Sequence, residues 1–267
     1  MLDSHFNIMG VLNITPDSFF DGGQYSSVDL ALQQALQMES AGAKIIDVGG
    51  ESTRPGAAEV STEQELDRIL PVIEAIRKQS DVLISIDTSK AEVMRAAVVA
   101  GANIINDVRA LVEPGSMDVA KSLDVPVCLM HMQGQPRTMQ SDPVYENVVE
   151  EVLTFLLNRA QACAVHGINK RNIWLDPGFG FGKSLDHNLS LLKHLNRFVD
   201  CGFPVLVGMS RKSMLGAILD VPVEKRLAGS LALATVACLK GAAIIRVHDV
   251  QETVHVATVV EAVKSAR

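Results

Sequence analysis

The sequence predicts a closed (β/α)8 TIM barrel of the α/β class, occupying residues 1–267 as a single domain. Three observations carry that expectation. Eight short apolar, β-branched runs recur along the chain, each is followed by a stretch of helical period, and glycines fall where helical stretches end. The runs are near-continuous rather than alternating, as strands covered on both faces read. A doubly wound open sheet would use the same units and is the alternative, but eight of them in a chain of this length favour closure.

The first run, Ile8–Ile14, is followed by a long aperiodic connection, Thr15–Ser27, and a helical stretch from Leu30 to Ser40. Gly42 then stands where a helix wants a left-handed residue beyond its last turn. The second strand, Ile45–Val48, leads through the aperiodic Gly49–Ser61 to Thr62-Glu63-Gln64-Glu65, which fits a capping box and opens a helix over Glu63–Lys78. The third, Val82–Ile86, meets a second such box, Ser89-Lys90-Ala91-Glu92, before a helix over Ala91–Ala100 that Gly101 closes. Ile104–Val108 and Val125–Met130 are the fourth and fifth strands. A third aperiodic stretch, Met132–Pro143, precedes a helix over Val148–Val165, with Gly167 beyond it. Ile173–Leu175 is followed by a helix over Leu189–Phe198 and Gly202, and Val205–Val207 by a helix over Leu231–Leu239 and Gly241; Ile244–Val247 is the eighth strand. The three long connections all follow strand C-terminal ends, where barrel enzymes assemble their active sites, so they are candidate lids.

Composition narrows the function. A chain that is 48% hydrophobic and 21% charged is an ordinary soluble protein with apolar material for a sizeable core. Its formal net charge of -7 gives no bulk attraction for nucleic acid or an anionic membrane, so an anionic ligand must be held by local cations. Cys128, Cys163, Cys201 and Cys238 are widely spaced and form no C-x-x-C pair, which reads as reduced, buried thiols rather than a zinc site. Met1-Leu2-Asp3-Ser4-His5 carries an acid and no apolar signal core, and no apolar run reaches about 18 residues. The expectation is a cytoplasmic protein with neither membrane nor nucleic-acid partner.

In a barrel the strand ends converge, so polar residues distant in sequence become neighbours around one cavity. Asp87, Asn106 and Asp176 supply carboxylates and an amide suited to a planar heterocycle with an N–C–N edge, because a carboxylate accepts two parallel N–H bonds. Arg246 and His248, two apart on the last strand, point the same way and make an anion pocket with Asn13 if the first and last strands are neighbours. Asn13 is also a hard, weak oxygen ligand, suited to a magnesium ion held mostly by phosphate and water. Asp47 and Asp107 read as hydrogen-bond partners or helix caps, His131 as a wall residue, and Arg211 as pointing outward or onto a neighbouring helix. Gly178-Phe179-Gly180-Phe181-Gly182-Lys183 matches neither phosphate-loop spacing and reads as a flexible turn bringing Phe181 to the cavity mouth.

Two long segments, Met9-Gly10-Val11-Leu12-Asn13-Ile14-Thr15-Pro16-Asp17-Ser18-Phe19 and Asp47-Val48-Gly49-Gly50-Glu51-Ser52-Thr53-Arg54-Pro55-Gly56, resemble the signatures of the bacterial dihydropteroate synthases of the pterin-binding family. Ser85-Ile86-Asp87-Thr88, Ile105-Asn106-Asp107, Met130-His131-Met132, Asp176-Pro177-Gly178, Gly208-Met209-Ser210-Arg211-Lys212 and Arg246-Val247-His248-Asp249 agree as well, so the resemblance covers essentially the whole chain. It implies condensation of a dihydropterin diphosphate with p-aminobenzoate, by a dissociative substitution, to dihydropteroate and pyrophosphate. Pterin binding then falls to Asp87, Asn106, Met130, Asp176, Gly208 and Lys212, and the diphosphate to Asn13, Thr53, Arg246 and His248, with Mg2+ on Asn13. Phe19, Thr53, Arg54, Pro55, Phe181 and Ser210 would shape the p-aminobenzoate site, and Asp87, Asp176, Lys212, Arg246 and His248 would carry catalysis. The resemblance further implies a homodimer and inhibition by sulfonamides. Phe20 departs from the serine common in the family, and the absence of an insertion near Phe181 fits a drug-sensitive form. A pterin-dependent methyltransferase, a class I aldolase using Lys212 and a non-catalytic pterin-binding barrel are the alternatives.

Overall fold

The computed structural model describes residues 6–14, 27–52, 59–134, 139 and 143–266, and strands and helices alternate through them. Strand β1 (Asn7–Asn13) precedes helix α1 (Ser27–Ser40), β2 (Ile45–Gly49) precedes α2 (Thr62–Arg77), β3 (Leu83–Asp87) precedes α3 (Ala91–Val99), and β4 (Ile104–Asp107) precedes α4 (Ser116–Leu123). Next come β5 (Val127–Met130) with α5 (Val148–His166), then β6 (Ile173–Asp176) with α6 (Leu185–Lys193) and the short α7 (Asn196–Val199). The last two strands are β7 (Leu206–Val207), followed by α8 (Ser213–Leu219) and α9 (Leu227–Leu239), and β8 (Ile244–Val247), followed by α10 (Val250–Ser265).

All pairings are parallel, in the order β6-β5-β4-β3-β2-β1-β8-β7, and a bridge between Leu175 and Val205 joins the two ends. The sheet therefore closes, and the open-sheet alternative falls. Strand β1 lies beside β8, with Met9 opposite Arg246, a pairing that joins the two ends of the chain.

Strand alternation then builds the interior in layers. Met9, Ile45, Ile104, Cys128, Trp174, Leu206 and Ile244 form an apolar cluster inside the barrel. Their sequence neighbours, such as Ile8, Ile46, Ile105, Leu175 and Ile245, point outward into the larger core under the helices. Two residues beyond the inner cluster come Asp47, Asn106, Met130, Asp176, Gly208 and Arg246, which by the same parity face inward one layer higher. An apolar floor thus carries a polar layer at the C-terminal mouth.

Gly42, Gly101, Gly167, Gly202 and Gly241 all have positive φ, as expected of helix-ending glycines. The predicted capping boxes are corrected. Helix α2 is capped one residue earlier, by Ser61, whose Oγ accepts from Gln64 N while the Gln64 side chain accepts from Ser61 N. Glu65 is thereby released from the helix start, and its buried carboxylate takes a bond from Lys90 Nζ at 2.6 Å. Lys90 is also the N-cap of α3, without a side-chain cap bond, and Ser89 Oγ donates instead to Asp107 Oδ1 at 2.5 Å. The single helix expected over Leu189–Phe198 is two: α6 starts at Leu185 behind a Ser184–His187 capping box, and the chain turns at His194 before α7. Strand β8 ends at Val247, so His248 lies just past it rather than on it. The four cysteines are free, with Cys128, Cys163 and Cys238 buried and Cys201 partly exposed. Among the described residues no helix is long and apolar enough to cross a membrane.

At the opposite end of the barrel one arginine ties three elements together. Arg77, the last residue of α2, donates to Gly101 O at 2.9 Å, Ser80 O at 2.9 Å, Val82 O at 2.6 Å and Asn103 Oδ1 at 2.5 Å. Gly101 has φ of 121°, and a Cβ there would come within 2.5 Å of Arg77 Cγ, so the glycine serves both the turn and the close approach. Replacing Arg77 by methionine removes charge-assisted donors from carbonyls far from the mouth. Arg77→Met is expected to cost roughly 2 to 4 kcal/mol in urea unfolding while leaving ligand binding at the mouth unchanged; a loss of binding would show that this end of the barrel is coupled to the site.

Candidate active site

The polar layer is brought together by register. Asn13 is opposite Gly49 and Gly49 opposite Asp87; Asp87 in turn faces Asn106, and on the far wall Met130 faces Asp176. Gly49 has no side chain between its neighbours: the position its Cβ would take is 3.6 Å from Asp87 Cβ and 3.7 Å from Asn13 Oδ1. An open space is therefore left between the Asn13 amide oxygen and the Asp87 carboxylate. Gly208 does the same beside Arg246, whose Cβ lies 3.7 Å from the absent methyl.

Arg246 rises from β8 into the barrel. Its Nε donates to Asp47 Oδ2 at 2.6 Å and its Nη2 to Asp87 Oδ2 at 2.8 Å, while Asn106 Nδ2 donates to Asp47 Oδ2 at 3.2 Å. Burial works against the guanidinium's charge, but Asp47 and Asp87 more than offset it, so Arg246 is held above its ordinary range. Asp87 shows the opposite balance. Burial pushes its carboxyl up, Arg246 pulls it down, and Asp47, Glu65 and Asp107 push it up again, to about 7.

Asp176, also buried, accepts from Gly178 N at 2.7 Å. Burial raises its pKa against that bond and against the nearby Lys212, Lys183 and Arg246 charges. Lys212 donates to Phe179 O, and its ammonium lies 4.4 Å from the centre of the Phe181 ring. Burial brings it down to about 8, with Asp176 opposing the shift.

The rim is assembled from the ends of β7 and β8. Ser210 is buried and accepts from His248 N at 3.2 Å, and its Oγ lies 3.0 Å from His248 Nδ1. His248 itself is exposed, whereas Arg246 turns inward, so the two residues expected to point alike are engaged differently. Arg211, in a left-handed conformation with φ of 55°, forks onto both oxygens of Asp249 at 2.8 and 2.6 Å. That decides its direction: away from the layer, toward the start of α10. Asp107 caps no helix: it accepts from Arg109 N and Leu111 N of a turn at 2.8 and 2.7 Å and from Ser89 Oγ, so both Asp107 and Asp47 are hydrogen-bond partners.

Phe19, Thr53, Arg54 and Pro55, as well as Phe20, lie outside the described residues. Among the described residues no group of three or more His, Cys, Asp or Glu side chains could hold a metal ion. Sequence reasoning passed over Lys183, which is 3% exposed against His131; a lysine between glycines and aromatics was the only signal. The turn it belongs to, expected to be flexible, is pinned on several sides. Taken together, the mouth offers carboxylates and an amide on one side for N–H donors, two cations for anions, and an aromatic ring at its edge.

Comparison with known proteins places these residues in a family. A family model described as pterin binding enzyme matches residues 9–248. The chain is 58% identical to the dihydropteroate synthase of Haemophilus influenzae over 246 residues, covering 92% of this chain and 90% of the relative. Among solved structures, the Yersinia pestis dihydropteroate synthase in complex with a sulfonamide drug is similar with a TM-score of 0.95 and 53% identity, covering 99% of this chain and 97% of that one. The Xanthomonas albilineans dihydropteroate synthase in complex with 7,8-dihydropteroate is similar with a TM-score of 0.91 and 45% identity, over 99% and 95% of the two chains.

The charge balance of the layer can be tested without substrate. Arg246→Met leaves the Asp47 and Asp87 carboxylates buried without their cation, so Asp87, already raised by burial, is driven further upward. An acid whose folded pKa exceeds its unfolded value stabilises the fold below the unfolded value, and that contribution is lost as pH rises through the folded one. The variant is therefore expected to lose roughly 3 to 5 kcal/mol relative to wild type at about pH 8, and clearly less at about pH 5. Urea titrations at the two pH values measure it; a deficit independent of pH would mean that the arginine stabilises by packing alone.

Proposed function

Since this chain belongs to the pterin-binding enzyme family and has dihydropteroate synthase activity, we propose that its barrel mouth divides into three parts: a pterin site, a diphosphate site and a p-aminobenzoate site. The enzyme condenses 6-hydroxymethyl-7,8-dihydropterin diphosphate with p-aminobenzoate to 7,8-dihydropteroate and pyrophosphate, and it is a sulfonamide target. The observation that carries the division is the inward polar layer, in which three buried acids and an amide stand beside two cations.

Asp176 takes the N–C–N edge of the pterin by two parallel N–H bonds, and its Gly178 bond presets the carboxylate's orientation. Asp87, Asn106 and Lys212 meet the remaining polar edge, Met130 walls the ring, and Gly208 leaves it room. The diphosphate lies toward Asn13, Thr53, Arg246 and His248. The p-aminobenzoate site is assigned to Phe181 and Ser210 together with Phe19, Thr53, Arg54 and Pro55, which lie outside the described residues.

The pterin ring is electron-rich, so its methylene C–O bond can break before the nucleophile arrives, the electron pair leaving on pyrophosphate. Arg246 and His248 stabilise that anion, and Asp87 and Asp176 offset the positive charge that develops on the ring. The aniline nitrogen then forms the C–N bond and loses a proton. A weak nucleophile needs this electrophile more than it needs a strong base.

Asn13 offers one hard oxygen beside the space over Gly49, and among the described residues no group of three or more His, Cys, Asp or Glu could hold the ion alone, which fits a magnesium ion held mainly by the diphosphate. When bound it would supply charge neutralisation at the leaving group. A homodimer is supported by the apolar residues that α9 and α10 expose, Leu239, Val259 and Val263 among them. The four free thiols support a cytoplasmic location.

Pure protein given the pterin diphosphate, p-aminobenzoate and magnesium is expected to release pyrophosphate and dihydropteroate in equal amounts; pyrophosphate alone would point to hydrolysis. In the same preparation, Asp176→Asn keeps the shape but replaces one acceptor by a donor. It should weaken pterin binding by roughly 2 to 4 kcal/mol, the scale of a buried charged hydrogen bond. Calorimetric affinity within twofold of wild type would remove Asp176 from the pterin edge.

A further inference from the structure

The glycine-rich turn after β6 is built around the buried amine of Lys183, whose pKa burial lowers to about 7 against the pull of Asp176. Lys183 Nζ lies 2.9 Å from Gly178 O, 3.0 Å from Phe181 O, 3.3 Å from His131 O and 3.0 Å from His131 Nδ1. No carboxylate touches it in these bonds; its partners are three carbonyls and a ring nitrogen. Burial, with the Lys183 charge adding to it, drives His131 down to about 3, so its ring is uncharged at neutral pH and sets Nδ1 against the lysine.

The turn has no room to move aside. Gly178 and Gly182 have φ of 70° and 61°, and a Cβ on either would overlap a backbone oxygen of the connection after β5, His131 O and Gln133 O respectively. Tyr145 Oη donates to Gly182 O at 2.9 Å, closing the other side. The same short stretch controls two groups of the polar layer. Gly178 N donates to Asp176 Oδ1, Phe179 O accepts from Lys212 Nζ, and the Phe181 ring lies under that ammonium.

We propose that Lys183 is a positioning residue for pterin binding: its buried ammonium gathers the carbonyls of Gly178, Phe181 and His131 and so fixes the backbone that aims Asp176 and Lys212. This rests on the assignment of Asp176 and Lys212 to the pterin. An ammonium is costly to bury and an apolar side chain of similar length packs without that cost. What the ammonium adds is direction, since three carbonyls converge on one point only when the turn has one shape. A hydrophobic residue would fill the space and remove the lysine's bonds to the Phe181 and His131 carbonyls, leaving Gly178 O only its bond from Phe181 N.

The test compares Lys183→Met, Lys183→Gln and the distant Arg77→Met as a control for lost stability. Binding of 6-hydroxymethylpterin is measured by calorimetry and folding by thermal unfolding. Lys183→Met is expected to fold and to bind the pterin at least tenfold more weakly. Lys183→Gln, which keeps two N–H donors on a shorter arm, should fall between it and wild type, and Arg77→Met should bind normally despite a lowered melting temperature. Pterin affinity within twofold of wild type in Lys183→Met, with only the melting temperature moved, would make Lys183 a stability residue and overturn the proposal. If Lys183→Met does not fold, Lys183→Gln decides by the same criterion, with a loss of threefold or more supporting positioning; if neither folds, Lys183 is a folding residue and the proposal falls. Wild-type protein that makes no dihydropteroate would sink the functional reading itself, a result distinct from either outcome for the lysine.

Discussion

Two carboxylates can stand inside this barrel because a guanidinium lies between them. Asp47 and Asp87 come from adjacent strands, both buried, and Arg246 reaches them from β8 with one bond to each. Without the cation, the two carboxylates would stand buried and unpaired, which costs several kcal/mol, or the layer would open to water. With it, the barrel keeps a charged interior above an apolar floor, and the neighbouring Asn106 and Asp176 inherit a dry, low-dielectric setting in which hydrogen bonds to a ligand are strong. The same balance leaves Asp87 near neutrality in its titration, a carboxyl easily biased by whatever charge arrives beside it.

Support for that layer comes from two directions. Below it, Met9, Ile45, Trp174 and Ile244 fill the interior so that no water column reaches the charges from the far end. Around it, side-chain bonds from Lys90, half-buried, and Lys183, buried, tie the connections to their neighbours. Lys90 joins Glu51, at the start of the second long connection, to Glu65 in α2, and Glu51 Oε1 also accepts from Val60 N where that connection returns. Lys183 plays the corresponding part after β6. Each lysine joins acceptors from separate parts of the chain.

These tertiary demands explain where local signals gave way. Thr62-Glu63-Gln64-Glu65 has the residues of a capping box, yet the cap moved to Ser61 and Gln64, because the buried Glu65 carboxylate is more stabilised by its pair with the half-buried Lys90 than by an exposed cap bond. Ser89 likewise left its helix to bond Asp107, which in turn holds the turn at Arg109 and Leu111. Propensity contributes about 1 kcal/mol at a cap, and a buried charge left alone costs several times more. The larger cost decided the register of the helix start.

The sequence by itself determined the eight strands, as near-continuous apolar runs, the glycines that end the helices, and that polar residues at the strand ends, Asn106, Asp176 and Arg246 among them, gather around one cavity. Its motifs also carried the family, because long signatures keep their order along the chain. Only the tertiary structure decided that Arg246 turns to Asp47 and Asp87 while His248 turns to Ser210, that Arg211 leaves the mouth for Asp249, and that Lys183 is buried against His131. Each of those contacts joins residues from different strand ends, and which partners meet is set by closure of the barrel and by the cost of leaving a buried charge unpaired. Neither quantity exists until the chain has folded.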